Sequence, residues 1–348
     1  MRREIGGVER WARELARLLP ELRPGRYEPI RPPAALAHRA GQAWEQLALP
    51  VAAGGAELLL SPANLAPLVG RRNVVVIHDA APFRDPSWYG RAYGAWHRAL
   101  LPRLARGARL LIAPSEHVRG ELSELFGVPL ERLVAIAPGV DSSFADPGDP
   151  EPVLRRLGLQ RPYVLAVGTE GPRKNLALLD RIAPVLDAQG LEVAIAGSSR
   201  PYMAGPRGAD AGGSVRRLGY VADADLPALY AGAAAFAMPS LYEGFGLPCV
   251  EAMAAGAPVV AADRAALPEA CGGAAMLADP DDADGFATAL LRAAGPERER
   301  LAAAGRKRAA ELTWERTAEA VDRALEPLLS TVRAGSRTRT GRRARRCR

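Results

Sequence analysis

From residue 57 onward, short apolar runs alternate with amphipathic stretches. Leu58–Leu60, Val74–Ile77, Leu110–Ala113 and Leu133–Ala137 come first. Val164–Val167, Val193–Ala196, Ala234–Met238 and Val259–Ala261 follow after a gap. These runs hold valine, isoleucine, leucine and alanine without polar alternation, the pattern of parallel strands buried on both faces. Between them, Val118–Leu125, Leu176–Leu186 and Asp284–Ala294 show helical spacing. This strand–helix alternation predicts an α/β chain of two doubly wound domains. The stretch 146–152, with three prolines and a glycine, can continue neither a helix nor a central strand and marks the junction. It separates residues 1–145 from 146–313. Trp314–Leu329 reads as a last helix, and no repeat of about 20–50 residues interrupts the pattern.

Composition sharpens this picture. The chain has 348 residues, 48% of them apolar, enough for two cores and too many for a disordered or disulfide-stapled chain. No run of 18 or more uncharged apolar residues occurs, so none is long enough to read as a bilayer-crossing helix. The charge-rich start, Met1–Arg10, does not read as a signal peptide. Cys249, Cys271 and Cys347 form no zinc-like cluster, which fits a reducing cytoplasm. The net charge of +7 belongs to the tail: residues 333–348 carry eight arginines and no acid, and without them 38 basic residues face 39 acidic ones. The tail is expected to be disordered and solvated, and no nucleic-acid partner is expected. Lysine is rare, two against 44 arginines, so Lys174 stands out.

In doubly wound sheets, ligands bind beyond the carboxyl ends of the strands. The loop 168–175 follows one strand and places Gly168, Arg173 and Lys174 at a helix start, with Asn175 as the expected N-cap. Adjacent cations there suit a diphosphate. The loop is not a Walker motif, and no G-x-G-x-x-G follows a strand, which counts against a nicotinamide enzyme. The stretch 238–256 is richer. Gly244 and Gly246 free the backbone, so N–H groups near Gly246 and Leu247 can face an anion. Pro248 suits a first helical turn. Glu243 and Glu251 can both face a cleft, where their partners would be sugar hydroxyls. Asp223 and Asp225 match D-x-D as a string but read as helix capping.

Glu243-x7-Glu251 within PSLYEGFGLPCVEAMAAGAPVV, together with VGTEGPRKN, strongly resembles the retaining glycosyltransferases of family 4, which have the GT-B fold. The likeness continues through ELLLSPANLAPL, VVVIHDAAPF, APSEHVRGELSELFGVPLERLVAIAPGVD, LGYVADADLPALYAGAAAFAMPS and ALPEA, over about residues 5–330. It is greatest with bacterial mannosyltransferases of surface polysaccharide synthesis. The resemblance implies two Rossmann-like domains facing a cleft, an acceptor-side domain first and a nucleotide-sugar domain second. Residues 314–332 would return to the first domain. Arg173 and Lys174 would bind the donor's diphosphate, and Glu243 its sugar. Gly244, Phe245, Gly246 and Leu247 would close on sugar and phosphate, Glu251 would hold the ribose, and Val221 would lie near the base. His78 would reach the reaction centre from the first domain, and Gly6 and Gly7 match the family's glycine loop.

The implied reaction is retaining hexosyl transfer from a nucleotide-diphosphate sugar, GDP-mannose as first choice, to a glycan or lipid-linked glycan. No cofactor and no metal are implied. Two rivals are a GT-B sugar-nucleotide epimerase and an inactive scaffold of the same fold. The stretch 96–109, with arginines beside leucines, suggests peripheral contact with an anionic inner-membrane face. Glu269 reads as a helix-start acid. Only four residues precede Ile5, fewer than the family's first strand needs, which suggests that the true start lies upstream of Met1.

Overall fold

All eight apolar runs form strands in the structure, a computed structural model that describes residues 6–33, 41–69, 72–160, 162–197 and 215–344. The readings at Ile5 and Cys347 lie outside these residues. Four strands make the first sheet: β1 (Leu59–Ser61), β2 (Asn73–Val76), β3 (Leu110–Ala113) and β4 (Leu133–Ala135), in order β1-β2-β3-β4 and all parallel. The second has β5 (Tyr163–Val167), β6 (Glu192–Ala196), β7 (Val215–Gly219), β8 (Ala235–Met238), β9 (Val259–Ala262) and β10 (Met276–Ala278). Its order is β10-β9-β8-β5-β6-β7, again parallel.

Helices cover both faces of each sheet, as uniformly apolar strands require. In the second domain, Leu176–Ala188 and Ala283–Ala294 bury Leu179, Ile182, Phe286 and Leu290 against one face. Leu247–Ala254 buries Cys249, Val250 and Met253 on the other. In the first domain, Arg91–Gly107 and Glu116–Phe126 pack Leu101, Leu104, Leu122 and Phe126 on one side of the sheet. The first helix, Gly7–Leu22, buries Trp11, Leu15 and Leu19 on the other side.

Trp314–Ala344 crosses back to that same face. Trp314 meets Trp11 edge-on at 5.9 Å, and Val321 and Leu325 enter the same core. Asp322 accepts hydrogen bonds from Arg23 and, at 2.6 Å, from Tyr27. The two chain crossings between domains run side by side. Val140 donates to the Leu312 carbonyl at 2.9 Å, and a Cβ on Gly139 would fall 2.1 Å from the Trp314 nitrogen. This crossing admits no side chain at residue 139.

Three local expectations need correction. The last helix continues to Ala344, where the sequence suggested a tail without regular structure from residue 333. Alanine and arginine are good helix formers and no proline stops them there. Asn175 stands at the helix start but with φ +49°, and its amide reaches the Pro280 carbonyl instead of the helix N–H groups. Capping residues typically have an extended backbone, which Asn175 lacks. Asp225 also occupies an N-cap position without capping: its carboxylate pairs with Arg156 at 2.7 Å.

Candidate functional site

The β5 loop turns through one 3-10 helix, Pro172–Lys174, before its α-helix starts. That turn aims both cations at the loop after β8. Arg173 Nη1 donates to Glu243 Oε2 at 2.9 Å and to the Tyr242 carbonyl at 2.8 Å, and Lys174 Nζ donates to Glu243 Oε1 at 2.7 Å. Glu243 and Lys174 are buried. Burial alone would push the Glu243 carboxyl up; Arg173 and then Lys174 outweigh it and hold it down at about 2. Burial pulls the Arg173 guanidinium the other way, but Glu243 and Asp79 keep it firmly charged. The Nε of Arg173 is buried with no hydrogen-bond partner. An orphan donor of this kind in a cation pair is a place for an anionic ligand.

Two glycines make the loops fit. Gly197, at φ +145°, lies so close to Gly168 that a Cβ would fall 1.8 Å from the Gly168 oxygen. A Cβ on Gly244 would fall 1.9 Å from the His78 carbonyl oxygen, so the loop after β8 rests directly on the other domain. Further contacts cross that seam. Ser115 Oγ donates to the Gly244 carbonyl at 2.8 Å while accepting from Val118 as N-cap of Glu116–Phe126. Tyr242 Oη accepts from Ala80 at 3.0 Å and donates to Glu121 at 2.5 Å. Glu269 accepts the backbone N–H groups of Glu116 and His117 at 2.8 and 3.2 Å. It is a helix-start acid as read, but for a helix of the opposite domain.

Glu251 lies in the helix that Pro248 opens. Tyr230 donates to its Oε2 at 2.9 Å, and Arg10, from the first turn of the first helix, pairs with Oε1. His78 follows β2. Its Nε2 faces the Pro62 carbonyl at 2.8 Å. A carbonyl only accepts, so Nε2 carries the proton; burial lowers the ring's pKa and keeps it neutral, leaving Nδ1 as an acceptor.

One cleft of about 780 Å³ gathers the cations, the carboxylates paired with them and His78. His78, Arg173, Lys174, Glu243 and Glu251 line it, as do Gly6, Gly7, Gly168 and Val221. So does the whole run Gly244, Phe245, Gly246 and Leu247. Arg10, Asp79, Tyr89 and Tyr93 also line it and were not singled out from the sequence. The repeat of aromatic rings at residues 89, 93 and 97 was the available signal for part of that set.

Two parallel α/β domains facing a cleft, with a cation pair and two carboxylates on one wall, define a GT-B glycosyltransferase. Residues 161–295 match the family model "Glycosyl transferases group 1", and residues 53–144 match "Glycosyltransferase Family 4". The chain is 34% identical over 257 residues to O-antigen chain mannosyltransferase B of Escherichia coli, covering 70% of this chain and 67% of that one. It is 32% identical over 282 residues to MMP alpha-(1->4)-mannosyltransferase of Mycolicibacterium hassiacum, covering 76% and 65%. The matches thus span about two thirds of those relatives' lengths. Anabaena HepE, solved with UDP and glucose, superposes with a TM-score of 0.70 at 19% identity, covering 93% of this chain and 96% of that one. WaaG, a glycosyltransferase of lipopolysaccharide biosynthesis, gives 0.68 at 14% identity, covering 92% and 96%. The chain belongs to the retaining glycosyltransferases of family 4.

Proposed function

We propose that the chain transfers a hexose, with retention, from a nucleotide-diphosphate sugar to a glycan or lipid-linked glycan, with GDP-mannose as the first donor to try. The observation that carries this is the Arg173–Lys174–Glu243 cluster, with its orphan Nε, sharing a cleft with Glu251. The mannosyltransferase names of the two curated relatives support the choice of sugar.

In this reading the diphosphate lies against Arg173 and Lys174, with backbone N–H groups at Gly246 and Leu247 facing it. Glu243 accepts hydroxyls of the donor sugar. A ribose hydroxyl replaces Arg10 at one Glu251 oxygen, and the freed guanidinium turns to the phosphates. His78 Nδ1 accepts a sugar hydroxyl from across the seam. The bond from the anomeric carbon to the leaving phosphate breaks, its electron pair passing to phosphate oxygen. The fixed cations stabilise that charge as it develops, the kind of preorganisation that usually dominates such catalysis. The acceptor oxygen bonds to the same face of the anomeric carbon, and its proton passes to the departing phosphate. Exposed Trp96, Arg98, Arg103 and Arg106 on one helix suit contact with an anionic membrane where the acceptor is lipid-linked. No helix among the described residues is long and apolar enough to cross one.

Thermal denaturation with ligands tests the donor. GDP or UDP at a hundredfold excess over Kd is expected to add about 2.7 kcal/mol of stability and raise Tm by several degrees. NAD is expected to leave Tm unchanged; equal shifts with NAD would remove the basis for the assignment.

A further inference from the structure

Charge divides the cleft. Its cations Arg10, Arg173 and Lys174 stand with Glu251 and Glu243 on one wall. Rings line the other arm, along the inner face of the helix Arg91–Gly107. Tyr89 stacks on Tyr93, centroids 5.3 Å apart and planes at 20°, and Tyr93 meets His97 at 4.0 Å. Spacing by four keeps Tyr93 and His97 on one helical face, and Tyr89 extends the row toward the donor wall. His97 Nδ1 lies 2.9 Å from the Tyr93 carbonyl and must donate to it, so Nε2 is the ring nitrogen left to meet another polar group.

Asp79 stands where the two arms meet. Its Oδ1 takes the Ala81 N–H at 3.1 Å, and its Cβ lies against Gly244 of the donor-side loop. The Tyr89 phenol lies within the electrostatic reach of Asp79, Arg173 and Glu243, and all four line the same cleft.

We propose that this arm is the acceptor subsite and that it takes an uncharged pyranose terminus, not a phosphorylated sugar or polyol. The inference rests on the donor reading above. A pyranose offers a C–H face that packs on an aromatic ring and a rim of hydroxyls that need acceptors. Tyr89 supplies the ring, Asp79 an acceptor, and His97 Nε2 a further hydrogen-bonding partner. A phosphate would instead meet the Asp79 carboxylate, and the arginine within electrostatic reach of Asp79, Arg173, is already paired with Glu243 and, in the donor reading, taken by the diphosphate. Asp79 orients the attacking hydroxyl by accepting its hydrogen bond; the proton still leaves on the departing phosphate.

The test uses the full chain with whichever of GDP-mannose and UDP-glucose raises its Tm. Methyl α-mannopyranoside and methyl α-glucopyranoside are compared with mannose 6-phosphate and myo-inositol 1-phosphate as acceptors. The neutral glycosides are expected to show kcat/KM at least about tenfold higher than the phosphates. Tyr89→Ala is expected to raise the acceptor KM about tenfold while the donor KM holds, and Tyr89→Phe to recover most of that loss. Asp79→Asn is expected to narrow the preference for neutral acceptors. Preference of the unmodified enzyme for a phosphorylated acceptor overturns the inference, as does an unchanged acceptor KM in Tyr89→Ala. A chain that neither binds nor hydrolyses either donor refutes the donor reading first, and this inference with it.

Discussion

Glu243→Gln is expected to lose at least about a hundredfold in kcat, the usual cost of removing a preorganised polar group at a transferring centre, and yet to bind nucleoside diphosphate at least as tightly. The two effects separate because Glu243 has two jobs. In the proposed reading it faces the donor sugar, and it neutralises Arg173 and Lys174 through contacts of 2.9 and 2.7 Å. Glutamine keeps the shape and one acceptor but no charge. Leaving buried cations uncompensated costs on the order of 3–5 kcal/mol. A diphosphate restores the missing negative charge, so GDP or UDP should raise Tm more in the variant than in the unmodified chain. Loss of nucleotide binding in parallel with turnover would refute this division of labour. Acid stability gives an independent reading. The Glu243 carboxyl is held at about 2 in the fold, below its ordinary value, so its contribution is full above the ordinary carboxylate range and fades as pH falls from about 4.5 toward 2. That contribution is on the order of 3 kcal/mol. Glu243→Gln should therefore show a flatter loss of stability over that interval, measured by urea unfolding across pH.

The apolar runs gave away every central strand because those strands are buried on both faces. They missed β7 and β10, which close the two edges of the larger sheet. β7 breaks the apolar pattern with Arg216 and Arg217 in its middle, Arg217 being spent on Asp180 at 2.8 Å, and β10 is apolar but only three residues long. The convergence of Arg173, Lys174 and Glu243 was legible because they sit in turns that follow strands, where topology brings side chains together. Arg10 was not, because an arginine in a first helical turn looks solvated until a distant Glu251 meets it. Glu269 was half legible: the local sequence shows an acid at a helix start, and only the docked domains show whose helix it serves. Asn175 and Asp225 mislead for the same reason. Capping propensity is local, while a 3-10 turn in one case and Arg156 in the other decide where the side chain goes.

Gly244→Ala and Gly197→Ala introduce nearly the same clash and are expected to fail in different ways. In each, the new Cβ would fall under 2 Å from a backbone oxygen: 1.9 Å from that of His78, 1.8 Å from that of Gly168. Gly197 and Gly168 belong to one domain, joined to β6 and β5, so the strain can be relieved only by breaking that sheet's edge loops. Gly197 also has φ +145°, where an L side chain is strained whatever the space. Gly197→Ala should therefore lower Tm sharply and weaken nucleotide binding with it. Gly244 meets the opposite domain, and its own φ is not in the left-handed region. The two domains can part to admit the methyl group, at the expense of Ser115–Gly244, Tyr242–Ala80 and the Glu269 contacts that hold the seam. Gly244→Ala should keep each domain folded and its nucleotide bound, yet lose at least about a hundredfold in turnover, because a displacement of about 1 Å between reacting groups is enough for that. Small-angle scattering should show the variant more open than the unmodified chain. A Gly244→Ala enzyme that is closed and active would mean that the cleft works without the contact between Gly244 and His78, and the placement of the reaction centre at that seam would have to be abandoned.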